Sequence, residues 1–448
     1  MITARAFAGK HYAVYGLARS GLATVEALLA SGAKVTAWDD TLLPGEGRGP
    51  GGRGAAVPPA LDPGLRRGTA IANLNEADLT QFDSLVVTPG LPLNRHPIAK
   101  RARDANLEII GDIELFARAR PELPPHKVVG ITGTNGKSTT TALIHHILKT
   151  AGVRTTMGGN IGLPILAQDP LPEGGVYVLE LSSYQIDLTQ SLDCDVAVLL
   201  NITPDHLDRY ASFEAYAASK MRLFAMQSHD HVGVDASGCD RWLDVIGPGQ
   251  WSHRSSSHAI EYPDQENWPA LQGPHNAENA WAAYNACFDL FIGKGVKNSS
   301  DKIFAAFKTY PGLPHRMERV GNRDGVLFVN DSKATNPTAT APALAAFDRI
   351  RWICGGQAKT DNLDECAPHF AHVRTAYTIG EAADLFERLL SPHIPVKNCG
   401  KLDEAVRSAA ADSEPGDTVL LSPACASFDQ FRDFEDRGNQ FRQLVGAL

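Results

Sequence analysis

The sequence predicts an α/β protein of three domains built on parallel sheets. Three observations carry that prediction. Apolar strand-like runs and amphipathic helix-like stretches alternate from one end of the chain to the other, as in strand–helix–strand units. The length, 448 residues, suits about three domains of roughly 150 residues each. Polar, glycine-rich turns follow the apolar runs directly, at the strand ends where such proteins build their sites.

The elements follow in order. A strand at 11–15 leads through the turn Gly16-Leu-Ala-Arg-Ser-Gly21 into a helix ending near Ser31, and a second strand at 34–38 ends in Asp39-Asp40. This pattern resembles a dinucleotide fingerprint with an acidic residue for a ribose, but Ala18 stands where its second glycine belongs. A Rossmann turn without a ligand fits the residues equally well. Residues 44–68, rich in Gly, Pro and Arg, read as an extended loop, and a strand at 84–88 ends in Pro89-Gly90-Leu91-Pro92. Prolines 121, 124 and 125 mark a linker.

A buried strand at 127–131 then runs into Gly133-Thr-Asn-Gly-Lys-Ser-Thr139, and from Thr139 the chain reads as a helix. Glycines let backbone N–H groups approach phosphates, and a helix start adds partial positive charge. Lys137 can reach outer phosphates and Ser138 can ligate Mg2+. The strict phosphate-loop pattern wants glycine at 131, where this chain has Ile, so the loop is a variant.

Further strands are expected at 176–181 and 195–201, and helices at 213–227 and 276–291. Residues 235–274 are irregular and polar, and 310–314 form a second linker. Strands at 326–329, 351–354, 375–379 and 418–421 complete the chain.

Composition narrows the function. With 43% hydrophobic and 21% charged residues the chain can build sizeable cores. A net charge of −9 without a basic stripe argues against a nucleic-acid surface, though local Lys and Arg can still hold anions. Seven cysteines without a C-x-x-C pair suit reduced thiols and a cytoplasmic setting. The first residues lack a signal-peptide core, and no apolar run approaches the ~18 residues of a spanning helix, so no membrane insertion is expected.

Several polar clusters could do chemistry. Glu180, closing an apolar strand, suits a Mg2+ carboxylate or a salt-bridged strand end. Asn201-Ile-Thr-Pro-Asp-His-Leu-Asp-Arg-Tyr210 follows the next strand, and its His206 suits a metal ligand or a general base. Lys220, on the helix after it, reads alone as a solvated lysine. In the last segment, Asn330-Asp-Ser-Lys-Ala-Thr-Asn-Pro337, Gly355-Gly-Gln-Ala-Lys-Thr-Asp361 and Leu421-Ser-Pro-Ala-Cys-Ala-Ser-Phe-Asp-Gln430 each follow a strand. Together they predict a ligand edge on one sheet.

These motifs, with Glu180-Leu-Ser-Ser-Tyr-Gln185, Ala218-Ser-Lys220, His275-Asn-Ala-Glu-Asn279, Leu313-Pro-His-Arg316 and Gly111-Asp-Ile-Glu-Leu-Phe116, resemble the Mur ligase family, the ATP-dependent amide ligases of peptidoglycan precursor synthesis. The match runs in order from Gly16 to Phe434. It implies a Rossmann-like UDP-substrate domain (1–115), a central P-loop ATPase domain (116–312) and a Rossmann-like amino-acid-binding domain (313–448). The resemblance further implies a cytoplasmic monomer that joins D-glutamate to UDP-N-acetylmuramoyl-L-alanine through an acyl phosphate, with domain closure completing the site.

Residue by residue, the resemblance implies that Gly133, Thr134, Asn135, Gly136, Lys137, Ser138 and Thr139 cradle ATP, with Asn276, Asn279, Arg316 and Asp331 on the nucleotide. Ser138, Glu180, His206 and a carbamylated Lys220 would hold two Mg2+ ions, and Lys137, Glu180, His206 and Lys220 would be catalytic. Arg19, Ser20, Asp39, Thr88, Gly90, Asn160 and Ser182 would contact the UDP-sugar. Lys333, Thr335, Lys359, Ser427, Phe428 and Phe434 would form the D-glutamate pocket, two lysines suiting two carboxylates. One departure stands out: Asp39 is followed by Asp40-Thr41, where family members often carry Thr-Arg. The rival readings are a sister ligase or folylpolyglutamate synthase, separable by amino-acid selectivity, a nicotinamide-dependent dehydrogenase, which leaves the central loop unexplained, and a non-catalytic ATP-gated binding protein.

Overall fold

A computed structural model describes residues 1–40, 69–205, 209–237 and 264–448. The expected loop at 44–68 and His206 lie outside them.

Three sheets organise the chain. The first contains β1 (His11–Tyr15), β2 (Lys34–Trp38), β3 (Thr69–Ile71), β4 (Ser84–Val87) and β5 (Ile109–Ile110), in the order β3-β2-β1-β4-β5. The second contains β6 (His126–Thr132), β7 (Thr155–Gly159), β8 (Gly175–Glu180), β9 (Val196–Leu199) and β10 (Val232–Asp235), in the order β10-β9-β6-β8-β7. Every pairing in these two sheets is parallel. Strands β4, β8 and β9 are buried along their length, as parallel strands covered on both faces must be.

The third sheet contains β11 (Glu318–Arg323), β12 (Val326–Asn330), β13 (Ile350–Gly355), β14 (Val373–Ile379), β15 (Val396–Gly400) and β16 (Thr418–Leu421). Its order is β11-β12-β16-β13-β14-β15, parallel except for β11, which pairs antiparallel with β12. The α/β class is therefore as the sequence predicts. The strands absent from the sequence reading are β3, β5, β7, β10, β11 and β15. All are very short, glycine-bearing or polar, and each lies at a sheet edge with one neighbour. Pairing with the sheet, more than intrinsic propensity, makes such segments strands.

Contacts group the chain into two compact units. One comprises Met1–Tyr262 with Pro274–Phe307; the other comprises Pro263–Gly273 with Lys308–Leu448. In the first unit, residues of both sheets share one apolar cluster that runs from Tyr12 and Val14 through Phe116 to Tyr177 and Leu179. In the second, the sheet buries Trp352, Cys354 and Leu420 on one face and Ile353, Tyr377 and Leu421 on the other. No helix among the described residues is long and apolar enough to cross a membrane.

Candidate active site

The glycine loop joins β6, central in its sheet, to the helix Lys137–Thr150. The helix begins two residues earlier than the sequence suggested, so Lys137, Ser138 and Thr139 stand in its first turn, at the positive end of its dipole. Gly136 caps it with φ +82°, and a Cβ there would stand 2.2 Å from Asn279 Oδ1. Only glycine fits. Thr134 N and Asn135 N donate to Asn201 O (2.9 Å) and Asn201 Oδ1 (2.8 Å), which stitches the loop to the end of β9. The Lys137 Nζ folds back onto Gly133 O at 2.9 Å and Thr134 O at 2.8 Å.

Lys220 is not the solvated lysine that its helix alone suggests. Its side chain is buried at 1% exposure, and its Nζ donates to Gly133 O at 2.8 Å. The nitrogen lies 4.6 Å from the centre of the Tyr216 ring. Burial first, and the nearby Lys137 second, lower its pKa to about 7. A large share of this amine is therefore neutral at physiological pH.

Glu180 ends β8 in register with Ile131 of β6 and is almost wholly buried. Its Oε1 accepts a hydrogen bond from Asn160 Nδ2 at 3.0 Å, whereas Oε2 is buried with no hydrogen-bond partner among the described residues. A buried carboxylate oxygen without a donor is unfavourable, and a cation would satisfy it. The residues present therefore fit a divalent metal ion. Asn276 and Asn279 project from the helix Pro274–Gly293; Thr140 Oγ1 donates to Asn279 Oδ1 at 3.2 Å and Asn279 Nδ2 to Asn276 Oδ1 at 3.2 Å. Ser182 forms a capping box with Gln185 at the start of the short helix Ser183–Asp187.

In the first sheet, the turns after β1 and β4 meet. A Cβ on Gly16 would strike Thr88 Oγ1 at 2.3 Å, and one on Gly21 would strike the Gly16 carbonyl oxygen. Arg19 and Ser20 open the helix Arg19–Ala30, whose cap position is Ala18 without a side-chain cap. Asp39 accepts from Leu17 N at 2.7 Å, so it braces the turn after β1. Asp40, outside the sequence assignment, gathers Tyr15, Trp38 and Asn75 on one carboxylate oxygen.

In the third sheet, β12, β16 and β13 are adjacent and parallel, so the three polar turns do share one edge. They are woven together. Ala424 N donates to Ala334 O at 3.0 Å, Gly355 N to Pro423 O at 2.9 Å, and Gln357 and Ala426 exchange two bonds at 2.9 Å. Lys359 Nζ donates to Thr335 Oγ1 at 3.3 Å, and Lys333 Nζ lies 3.9 Å from the centre of the Phe434 ring. Ser427 is buried, while Phe428 is 69% exposed. Asp331 is buried, accepting from Ser422 Oγ at 2.8 Å and Met317 N at 3.1 Å. Burial raises its carboxyl to about 7. Arg316 sits between His315 (φ +61°) and Met317 (φ +47°), two left-handed residues that hold it out of regular structure.

Sequence reading gave no individual role to Asn201 and Arg209, which it named only within the Asn201–Tyr210 cluster, and it missed Arg437. Arg437 is fully buried and donates to Ser332 Oγ (2.9 Å) and to the carbonyls of Ser332 (2.8 Å), Cys425 (3.1 Å) and Ala426 (3.3 Å). It stands on the helix Phe434–Ala447, where an arginine carries no sequence signal of burial.

Comparison with known proteins places these features in a family. Residues 131–243 match the family model of the Mur ligase middle domain, and residues 315–425 that of the Mur ligase glutamate ligase domain. The UDP-N-acetylmuramoylalanine–D-glutamate ligase of Novosphingobium aromaticivorans is 57% identical over 452 residues, covering 100% of this chain and 97% of its own. That of Sphingopyxis alaskensis is 56% identical, with 100% of both chains covered. Among solved structures, the MurF ligase from Thermotoga maritima in complex with ADP superposes with a TM-score of 0.59 at 15% identity, covering 98% of this chain and 96% of its own. The UDP-N-acetylmuramate-alanine ligase of the same organism gives 0.57 at 15% identity, covering 98% and 99%.

Proposed function

The chain belongs to the Mur ligase family, and we propose that it is the ATP-dependent member that joins D-glutamate to UDP-N-acetylmuramoyl-L-alanine in cytoplasmic peptidoglycan precursor synthesis, working as a monomer. The amino-acid choice is supported by full-length likeness to relatives that bear this activity. The chemistry rests on one observation: Lys137 and a buried Lys220 both reach the glycine loop, and the neighbouring sheet end holds Glu180 with an oxygen unpartnered among the described residues.

The reaction runs through an acyl phosphate. An oxygen of the alanyl carboxylate attacks the γ-phosphorus and ADP leaves. The amine of D-glutamate then attacks the acyl carbon, inorganic phosphate departs, and the nitrogen gives up its proton as the amide forms. Gly133 to Thr139 hold the phosphates with backbone N–H groups, and Lys137 turns from the loop carbonyls to the transferred group, where charge develops. Ser138, Glu180, His206 and Lys220 would hold two Mg2+ ions. Bound there, Mg2+ would screen the two anions that must meet. Lys220 would bind metal as a carbamate: its neutral amine adds carbon dioxide and releases a proton, so a neutral group becomes an anion.

Asn276, Asn279, Arg316 and Asp331 serve the nucleotide in this reading. Arg19, Ser20, Asp39, Thr88, Gly90, Asn160 and Ser182 serve the UDP-sugar. Lys333, Thr335, Lys359, Ser427, Phe428 and Phe434 serve D-glutamate. The domains that divide these tasks span 1–115, 116–312 and 313–448.

The test is phosphate release with ATP, Mg2+ and UDP-N-acetylmuramoyl-L-alanine, offered D-glutamate, L-glutamate, L-alanine, L-lysine or meso-diaminopimelate in turn. Release with D-glutamate alone, and only with the UDP-sugar present, is expected. Release with another amino acid would overturn the substrate, and release without the UDP-sugar would overturn the ligase reading.

A further inference from the structure

Of the Asn201–Tyr210 cluster, the reaction as derived uses only His206. Arg209 reaches away from its own sheet to the turn after β4. Its Nη2 donates to Leu91 O at 2.9 Å and Pro89 O at 3.4 Å, and its Nη1 to Gly90 O at 3.3 Å. Three successive carbonyls of one turn thus converge on one guanidinium. Among the described residues no carboxylate pairs with Arg209, so those carbonyl dipoles are its electrostatic partners. Its planar face lies on Tyr184, with Cζ 4.3 Å from the ring centre. Tyr184 in turn stacks on Tyr210 with ring centres 6.2 Å apart and planes 16° apart. The Tyr210 hydroxyl donates to Asp187 Oδ2 at 2.7 Å.

The turn is held from several directions. Leu91 N closes it onto Thr88 O at 3.0 Å, and Thr88 is seated against Gly16. A Cβ built on Gly90 meets nothing within 4 Å, so the turn is open on the side that Cβ would take. The segment that carries Arg209 is tied at its start to the phosphate loop, through Asn201 and the Thr134 and Asn135 amides. Tyr210 also packs on Tyr216, with ring centres 5.4 Å apart, and the Tyr216 hydroxyl lies 3.2 Å from Thr134 Oγ1, so contacts run from the phosphate loop through the tyrosines and Arg209 to the Pro89–Leu91 turn.

We propose that Arg209 is a positioning residue for the UDP-sugar: it clamps the Thr88–Leu91 turn in the conformation that receives that substrate and fixes the turn relative to the phosphate loop. This role rests on the reading of Thr88 and Gly90 as UDP-sugar contacts. Only a forked, planar cation satisfies three carbonyls while lying flat on an aromatic ring, so lysine is a poor substitute.

The experiment compares wild-type protein with Arg209→Lys and Arg209→Met. It measures calorimetric binding of UDP-N-acetylmuramoyl-L-alanine without ATP, then KM for each of the three substrates. Both variants are expected to bind the UDP-sugar roughly tenfold more weakly, the loss of charge-assisted hydrogen bonds to one turn. Their KM for ATP and for D-glutamate is expected to stay within about twofold of wild type. The lysine variant keeps charge and stem, so it carries the test if the methionine variant fails to fold. Wild-type affinity in Arg209→Lys, or an equal rise in KM for ATP, would overturn the clamp. A wild-type protein that does not bind the UDP-sugar would sink the substrate assignment and this role with it.

Discussion

At Gly136 the backbone sits at φ +82° with Asn279 Oδ1 where a Cβ would go, so an alanine must displace either the loop or the helix that carries Asn279. Gly136→Ala is expected to destabilise the protein by about 1–3 kcal/mol and to weaken ATP binding at least tenfold. Calorimetric titration with ATP, beside thermal melting, checks both, and unchanged ATP affinity would refute this account of the loop. Asp331 offers a pH-dependent test. Its folded pKa, about 7, lies above the unfolded carboxylate value, so between about pH 4 and 7 the folded state holds a proton that the unfolded state has released. Stability therefore falls as pH rises through that window and levels off above it. Asp331→Asn keeps an acceptor for Ser422 but cannot ionise. The variant should gain stability over wild type as pH rises from 4 to 7, by a few kcal/mol at most. Parallel urea titrations at pH 4.5, 6 and 7.5 measure it, and a gap that does not widen with pH would refute it.

Strand ends and the turns that leave them form the working units at the scale of elements. The order of residues alone offered good reason to place three polar turns on one edge, because each follows an apolar strand and parallel strands point their ends the same way. It gave no reason to expect that Arg437, eleven residues after the last of the carbonyls it holds, would bind two of those turns together from a buried position. Replacing it with methionine leaves the Ser332 and Cys425 carbonyls without this donor and the Ala426 carbonyl with Gln357 N alone. Arg437→Met is expected to lose about 2–4 kcal/mol of stability and to raise KM for D-glutamate more than KM for ATP. Chemical denaturation and steady-state kinetics check the two halves separately; an unaltered midpoint would show that water replaces the guanidinium. The boundaries of elements were less legible than their order. The helix after the phosphate loop starts at Lys137 because Gly136 adopts the left-handed cap, a conformation that no apolar periodicity encodes.

For the whole molecule, the two compact units differ in how their cores are built. The first and second sheets contribute to one apolar cluster, and the ring of Phe116 lies 5.1 Å from that of Tyr177. Residue 115, the proposed end of the first domain, falls inside the helix Asp112–Ala119. A fragment of residues 1–115 would thus expose the apolar residues it shares with the second sheet. It is expected to lack a cooperative thermal transition by circular dichroism. A fragment of residues 308–448 keeps its six strands and both faces of its core, so it is expected to melt cooperatively. Cooperative melting of the first fragment would show that the shared cluster is dispensable to it.

The sequence by itself determined the α/β class, the order of sheets and motifs, the phosphate loop and the three polar turns. Those properties are written in short windows, as apolar runs, glycines and the polar residues that follow strands. Tertiary structure alone decided that Lys220 is buried beside Gly133, that Glu180 keeps an oxygen without a partner among the described residues, and that Arg209 and Arg437 hold turns far from them in sequence. The reason is physical: burial, a shifted pKa and a shared hydrogen bond belong to pairs of residues that only the folded chain brings within a few ångströms.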